Sequence, residues 1–394
     1  MIGIQNIKPF NQRVLIRVDF NVPLDKNKKI TDITRIQAAL PTIQKIITGG
    51  GIAVLISHLG RPKTKEKNLS LKPIAKKLSE LLNQKVFFSI DCVGNKVLSE
   101  IKKLNSGEVI LLENLRYYKE EEQGDIIFSE KLSKLADIYI NDAFGTAHRA
   151  HASTSVITRF FKKNCFCGLL LEKEISNLNL ILKNPKRPFT AIIGGAKISG
   201  KIEIILSLLE KVDKIIIGGG MAYTFIKAMG GNIGKSIVEE DKLILAQKII
   251  EGAKEKNVEL ILPIDSINSL LFSNEEESSS SDIYKIPEDK MGLDIGKESI
   301  LLFEKHILKS KTILWNGPMG VFEFSNFCNG TKSIGKAICV STLNGAFSLI
   351  GGGDSIAASK LFGLSEEVSY TSTGGGAMLE YIEGKELPGI KALS

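Results

Sequence analysis

Along the whole chain, short runs of β-branched residues alternate with segments of helical period, and several runs in the second half end on glycine. That alternation is the pattern of βα units wound into parallel sheets. The expected strands of the first half are 13–20 (RVLIRVDF), 52–59 (IAVLISHL), 86–90 (VFFSI), 109–114 (VILLEN) and 138–144 (IYINDAF), with LKPIAKKLSELL at 71–82 a helix among them. A second series follows: TAIIGG at 190–195, KIIIGGG at 214–220, VELILPID at 258–265, TILWNGP at 312–318, FSLIGGG at 347–353 and VSYTSTGGG at 368–376. Between the two, EKEISNLNLILK at 172–183 reads as a helix, and the breaker-rich NPKRP at 184–188 marks a domain boundary. With 394 residues the chain has room for two domains and allows a third. NEEESSSSD at 274–282 reads as an exposed loop without chemistry, and no short repeat suggests a solenoid.

Hydrophobic residues at 43% and charged residues at 24% describe a folded chain and exclude disordered or collagen-like ones. No stretch approaches 18 uninterrupted apolar residues, and MIGIQNIKPF carries no apolar signal core, so a cytoplasmic protein without a membrane partner is expected. The five cysteines are odd in number and lack CxxC spacing, which predicts reduced thiols rather than a disulfide framework or structural zinc.

The net charge of +8 favours anionic partners in general. The arginines are more informative: all eight (Arg13, Arg17, Arg35, Arg61, Arg116, Arg149, Arg159, Arg187) lie in the first 187 positions. In a chain whose surface charge is supplied by lysine, arginines as a set mark places that need a planar fork for carboxylate or phosphate, although any one of them taken alone reads better as a surface residue. Several sit just past the expected strands. Asp19 and Asn21 end the first, His58 and Arg61 follow the second, Arg116 follows the fourth, and His148, Arg149 and His151 follow the fifth. In open parallel sheets ligands bind beyond the carboxyl ends of the strands, so these loops could converge on one ligand bearing carboxylate and phosphate. The three histidines lack metal-ligand spacing.

The glycine-ended strands of the second half point to phosphate, because glycine lets backbone N–H groups approach an anion and a following helix adds its positive end. Two segments nearly match a phosphate-binding loop. GAKISGKI at 195–202 puts Ile202 where a hydroxyl should hold magnesium, and MGGNIGKS at 229–236 begins with Met229 instead of glycine. An ordinary P-loop is therefore excluded, and a nicotinamide-type dinucleotide site is weakened because no GxGxxG follows a strand. What remains is a nucleotide site assembled from several loops. Lys197 and Lys201, four apart, would reach a polyphosphate from one helical face, and Asp354 after GGG is either an N-cap or a magnesium ligand.

The motifs RVDFNVP (17–23), TRIQAALPTI (34–43), SHLGRP (57–62), ENLRYYKEEE (113–122), NDAFGTAHRAHAS (141–153), GGAKISGKI (194–202), MGLDIG (291–296), WNGPMGVFE (315–323), GGGDS (351–355) and STGGGAMLE (372–380) closely resemble the phosphoglycerate kinase family, in family order along nearly the whole chain. The resemblance implies two Rossmann-like domains, each a parallel sheet flanked by helices: residues 1–170 for 3-phosphoglycerate and 188–379 for MgATP or MgADP. A hinge helix and linker at 171–187 would join them, and 380–394 would return to the first domain. It implies a monomer that moves a phosphoryl group between 1,3-bisphosphoglycerate and ADP, in line, after hinge closure. Matched residue by residue, the acid would be held by Asp19, Phe20, Asn21, Arg35, His58, Leu59, Gly60, Arg61, Arg116 and Arg149. The nucleotide would meet Lys197, Lys201, Gly292, Asn316, Pro318, Glu323, Gly352, Gly353, Asp354 and Ser355, with Asp354 the Mg²⁺ ligand and Glu323 the acceptor for a ribose hydroxyl. Arg35 would meet the reacting carboxyl group, Lys197 the transferring phosphoryl, and the amides near Gly352, Gly353, Gly375 and Gly376 its oxygens. Ser355 stands where the family more often has threonine, Gly200 replaces a commonly polar residue, and 266–285 departs most.

Two other classes remain at this stage. A homologue that binds without turnover is opposed by the full set of arginine and lysine positions. A nucleic-acid-binding protein is suggested by the charge, but the arginines fall at strand ends rather than along one helix or an aromatic-interleaved face.

Overall fold

The computed structural model describes residues 2–394, which divide into two compact units: residues 2–176 with 386–394, and residues 177–385. The first unit is built on β1 (Arg13–Val18), β2 (Ile52–Ile56), β3 (Val86–Phe88), β4 (Val109–Leu111), β5 (Ile138–Asp142) and β6 (Cys165–Cys167). They pair in the order β3-β4-β2-β1-β5-β6, all neighbours parallel. Beyond Arg13 every residue of β1 is buried, which is why it reads as a continuous apolar run rather than an alternating one. The exception inside that run is Arg17, a charged side chain with no exposed surface. β6, with only CFC to announce it, was not expected from the sequence.

Helix Thr34–Thr48 follows β1 and buries Ile36, Ala39, Ile43 and Ile46, a stripe at helical spacing that joins Val14, Ile16 and Leu55 in one core. Each large aliphatic so buried contributes about 2 kcal/mol before chain entropy is counted. Helix Lys72–Leu82 carries its proline in the first turn, where the missing N–H costs nothing, and ends at Asn83 in the left-handed region at φ 50°. The chain end joins this unit through Gly389, whose N–H donates to the Ala147 carbonyl (2.8 Å) and whose carbonyl accepts from Asn141 Nδ2 (3.3 Å).

The second unit continues, in chain order, with β7 (Phe189–Ile193), β8 (Lys214–Ile217), β9 (Asn232–Ile233), β10 (Glu259–Ile261), β11 (Asp265–Ser269), β12 (Ser279–Asp282), β13 (Lys285–Ile286), β14 (Met291–Ile295), β15 (Thr312–Asn316), β16 (Phe347–Ile350) and β17 (Tyr370–Thr371). Its main sheet runs β10-β8-β7-β15-β16-β17, again all parallel, around a core that includes the fully buried Trp315. The α/β reading with two parallel sheets therefore holds. Two small sheets were not foreseen: β12-β11-β14, antiparallel, and the short pair β13-β9. The polar 274–282 segment is accordingly not wholly a loop. Ser279–Asp282 pairs with Asp265–Ser269, because an edge strand can be serine-rich when its partner supplies the ladder.

In both main sheets the pairing stops short of the expected strand ends. β1 ends at Val18, β2 at Ile56 and β16 at Ile350, so the residues beyond them leave the ladder and form loops at the carboxyl edge. The helix Leu169–Leu182 contains the division between the two units.

Candidate active site

In the first unit, the loops after β1, β2, β4 and β5 bring together a set of cations. Arg35 Nη1 donates to Asp19 Oδ2 at 2.8 Å, and Asp19 Oδ1 in turn accepts from the Asn21 N–H. Asn21 Oδ1 accepts from the Gly60 N–H (2.8 Å), and the Gly60 carbonyl accepts from Arg116 Nη1 (2.7 Å), so one chain of hydrogen bonds ties three loops. Gly60 has φ +62° with Leu69 pressed against its missing side chain, which only glycine tolerates there. Arg116 also pairs with Glu122 at 3.0 Å, and Arg149 Nε meets His148 Nε2 at 3.2 Å. Arg61 is exposed and forms no ion pair with a described residue.

His58 is 3% exposed, and its pKa is driven well below the ordinary value by burial first and then by Arg17, Arg116, Arg35 and His151. His151 is pushed down to about 3 by burial and by Arg17, Arg116 and Arg149. Burial likewise opposes the charge of Arg116, with Arg17 and Arg149 adding to the effect. Cations this crowded repel one another across a partly dry site, and an anion placed among them relieves the repulsion.

Not every expected acid ligand offers a free group. Phe20 is fully buried; its N–H donates to Ser57 Oγ and its carbonyl accepts from Val22. Both backbone groups of Leu59 are taken by the Asn114 side chain, at 3.2 and 2.8 Å. The backbone polar groups of both residues are thus each engaged within the protein. The sequence reading assigned no site role to Arg17, named there only as one of eight arginines, nor to Asn114, Glu121 and Ser153. All four stand inside motifs quoted for the family, but only burial reveals that they are interior polar groups.

In the second unit, a cavity of about 340 Å³ opens beside the β7, β8 and β15 ends. Gly195, Gly219 and Gly220 lie on one side, and Tyr223, Phe272, Leu293 and Phe322 supply an apolar wall. Of the expected nucleotide residues, Gly292, Pro318, Glu323 and Asp354 line it. Gly292 is obligatory: a Cβ there would lie 2.0 Å from Tyr223 Oη, which itself meets Ser266 Oγ at 3.0 Å. Tyr223 and Phe272 were missed, Tyr223 because an aromatic after a glycine turn reads as core, and Phe272 because it lies in the stretch that departs most from the family.

Beside the cavity, Gly352 (φ +95°) starts helix Gly353–Leu361. Asp354 is exposed in its first turn and is not its N-cap, which removes one of the two readings open at the sequence level. Asn316, expected on the adenosine side, is instead fully buried: its Oδ1 accepts from Lys201 Nζ and its Nδ2 donates to the Gly351 carbonyl (2.6 Å). It thus locks Lys201 to the glycine turn. Ser355 Oγ is likewise turned inward and accepts from the Gly317 N–H at 2.5 Å. Lys197 and Lys201 do not share a helical face, because the helix begins only at Ile202 and both precede it, Lys197 in irregular backbone and Lys201 in a turn. Lys197 is exposed; Lys201 is half-buried, with burial lowering its pKa and Asp354 opposing that effect.

The family model for phosphoglycerate kinase matches residues 4–385. The chain belongs to the phosphoglycerate kinase family. It is 52% identical over 414 residues to the phosphoglycerate kinase of Porphyromonas gingivalis, covering 98% of this chain and 99% of the relative, and 52% identical over 382 residues to that of a Nostoc species, covering 97% and 95%. The phosphoglycerate kinase structure from Coxiella burnetii matches with a TM-score of 0.89 at 42% identity, over 100% of this chain and 98% of the other. That from Pyrococcus horikoshii matches at 0.84 and 33%, over the same shares. Membership makes the chain an enzyme of glycolysis, a kinase whose phosphoryl acceptor is a carboxyl group. No helix among the described residues is long and apolar enough to cross a membrane.

Proposed function

We propose that the first unit holds 3-phosphoglycerate, or 1,3-bisphosphoglycerate, through Asp19, Asn21, Arg35, His58, Arg61, Arg116 and Arg149, and that the second holds ATP or ADP in the cavity walled by Tyr223 and Phe272. The observation that carries this reading is the pairing of chemistries: arginines and buried histidines crowded at the strand-end loops of the first unit, and in the second an apolar slot lined by Gly195, Gly219, Gly220 and Asp354, with Lys201 held by Asn316. The cavity volume of about 340 Å³ is in the range of small-ligand sites.

The acceptor carboxyl group is ionised at neutral pH, so no general base is needed to create the nucleophile. The work left to the protein is positioning and the stabilisation of charge on the transferring group. Asp19 orients Arg35 by accepting from one of its nitrogens, which leaves the rest of the fork for the reacting carboxylate. Lys197 is assigned to the transferring phosphoryl, and the backbone N–H groups at Gly352, Gly353, Gly375 and Gly376 to its oxygens. Lys201, immobilised by Asn316, meets the nucleotide phosphates.

Asp354 fits Mg²⁺: its carboxylate is exposed at the cavity edge, where one carboxylate together with substrate phosphates and water would hold the ion. When bound, Mg²⁺ neutralises nucleotide phosphate charge. With acid and nucleotide held by different units, transfer requires hinge closure, which also keeps water from the acyl phosphate. A monomeric, cytoplasmic enzyme without nucleic-acid or membrane partners completes the reading.

The test is a coupled assay of ATP formation from ADP and 1,3-bisphosphoglycerate. Arg35→Ala and Lys197→Ala should each lower kcat by about 10²–10³, the usual loss of one transition-state donor. A change in KM alone would show the roles to be wrongly assigned. Binding to random DNA that outcompetes ATP at physiological salt would instead revive the nucleic-acid reading.

A further inference from the structure

Arg17 lies at the centre of the first unit with no exposed surface, and a buried charge must be compensated by every group it touches. Its Nε donates to Ser153 Oγ at 2.8 Å, its Nη1 to the Val18 carbonyl, and its Nη2 meets His58 Nδ1 at 3.2 Å. Ser153 Oγ in turn donates to Glu121 Oε1 at 2.6 Å, while Glu121 Oε2 accepts from the Ser153 N–H at 3.0 Å. Glu121 is fully buried and supplies the countercharge across the serine.

The direction of every bond in this chain is determined, because a guanidinium only donates. The nitrogen of His58 that faces Arg17 must therefore present a lone pair. A neutral imidazole with its lone pair at Nδ1 carries its proton at Nε2, and the depressed affinity of His58 for a second proton keeps it neutral.

We infer that Arg17, backed by Ser153 and Glu121, is a positioning residue that holds His58 as a neutral Nε2–H donor facing the acid site. Arg17 touches no reacting atom in this arrangement; it acts through His58. The device makes the donor insensitive to pH where a free histidine would titrate. The charged or titratable groups around His58 are Arg17, Arg35, Arg116, His151 and Asp19, the last with Oδ1 3.9 Å from Nδ1. Four of these five oppose a second proton on the ring. Asp19 alone favours it, and that carboxylate is already paired with Arg35.

This inference rests on the acid-binding reading above, and the test separates the two. Nitrogen-15 NMR of ¹⁵N-histidine-labelled, ligand-free full-length protein should show His58 Nδ1 unprotonated and Nε2 protonated, without titration from about pH 5 to 8. Adding 3-phosphoglycerate should then shift the Nε2 signal. A proton found on Nδ1 in the parent protein overturns the inference whether or not any variant folds. If the tautomer is as stated but 3-phosphoglycerate leaves Nε2 unmoved, the acid-binding reading fails while the Arg17 lock stands.

Two variants carry the kinetic arm: Arg17→Met, and Arg17→Lys, which keeps a charge opposite Glu121 and loses the fork. In Arg17→Met the His58 pKa should rise, and KM for 3-phosphoglycerate should increase about tenfold, the factor for one ordinary hydrogen bond, with kcat within about twofold. Arg17→Lys should raise KM in the same way. Parent-like KM together with parent-like His58 titration in both variants would refute the proposed role.

Discussion

Gly352 and Gly353 are neighbours in the glycine turn after β16, and alanine at the two positions should have opposite effects on stability. Gly352 sits at φ +95° and ψ 141°, a region that an L side chain enters at a cost of order 1–3 kcal/mol. A Cβ there would also lie 2.5 Å from Asn316 Nδ2, the atom that holds the Gly351 carbonyl. Asn316 cannot withdraw freely because it is fully buried and its other end is bonded to Lys201. Strain plus the displaced hydrogen bond, itself about 1 kcal/mol, gives a loss of roughly 3 kcal/mol for Gly352→Ala. For a unit of this size that corresponds to a fall in Tm of about 6–12 °C.

At Gly353 a Cβ meets nothing within 4 Å, and the residue is the first of its helix. Gly353→Ala should therefore leave stability unchanged or raise it by about 0.5–1 kcal/mol. Thermal unfolding followed by circular dichroism compares the two directly. The coupled ATP-forming assay should also show a kcat loss of about 10² for Gly352→Ala, since moving Asn316 misplaces Lys201. Equal stability losses at both positions, or a Gly352→Ala protein as stable as its parent, would refute the reasoning.

Asp142 is fully buried, and its Oδ1 accepts the Leu170 and Leu171 N–H groups (2.9 and 3.1 Å) at the start of helix Leu169–Leu182. Burial raises its pKa to about 6 against the Thr42 hydroxyl and those amides. Between about pH 4 and 6 the folded state then holds the proton that the unfolded state has lost, so stability falls as pH rises through that window, by about 3 kcal/mol in total. Asp142→Asn keeps one acceptor oxygen for both amides and should flatten that part of the stability–pH curve, as measured by urea unfolding at pH 4, 6 and 8; an unchanged slope would exclude Asp142 as its source. Chelation of Mg²⁺ should stop turnover, and Asp354→Asn should raise the Mg²⁺ concentration needed for half-maximal rate while leaving the Tm within about 2 °C, because an exposed carboxylate that acts on Lys201 only through its charge contributes little to folding. A parent-like Mg²⁺ dependence would remove Asp354 from the ion's coordination.

What could be read from the residues alone is what depends on near neighbours. The apolar runs at Val14–Val18 and Ile313–Trp315, the helical stripe of Ile36, Ala39, Ile43 and Ile46, and the glycine turns after β16 each follow from the spacing of residues close together in the chain. They predict parallel sheets with functional loops at one edge, and several of the motifs that carry the family resemblance, such as SHLGRP at 57–62 and GGGDS at 351–355, lie at those strand ends.

Tertiary structure decided the identity of each contact, because side chains from distant strands meet only once β1 lies between β2 and β5 and β15 lies between β7 and β16. Ser153 and His58 reach Arg17 from 136 and 41 residues away, so a residue that reads as one more surface arginine becomes the hub of a buried polar network. Lys201 is drawn to Asn316 across 115 residues, off the helical face that its spacing from Lys197 suggested. Periodicity is a property of local backbone geometry, whereas the compensation of a buried charge is set by whatever the sheet order brings alongside it.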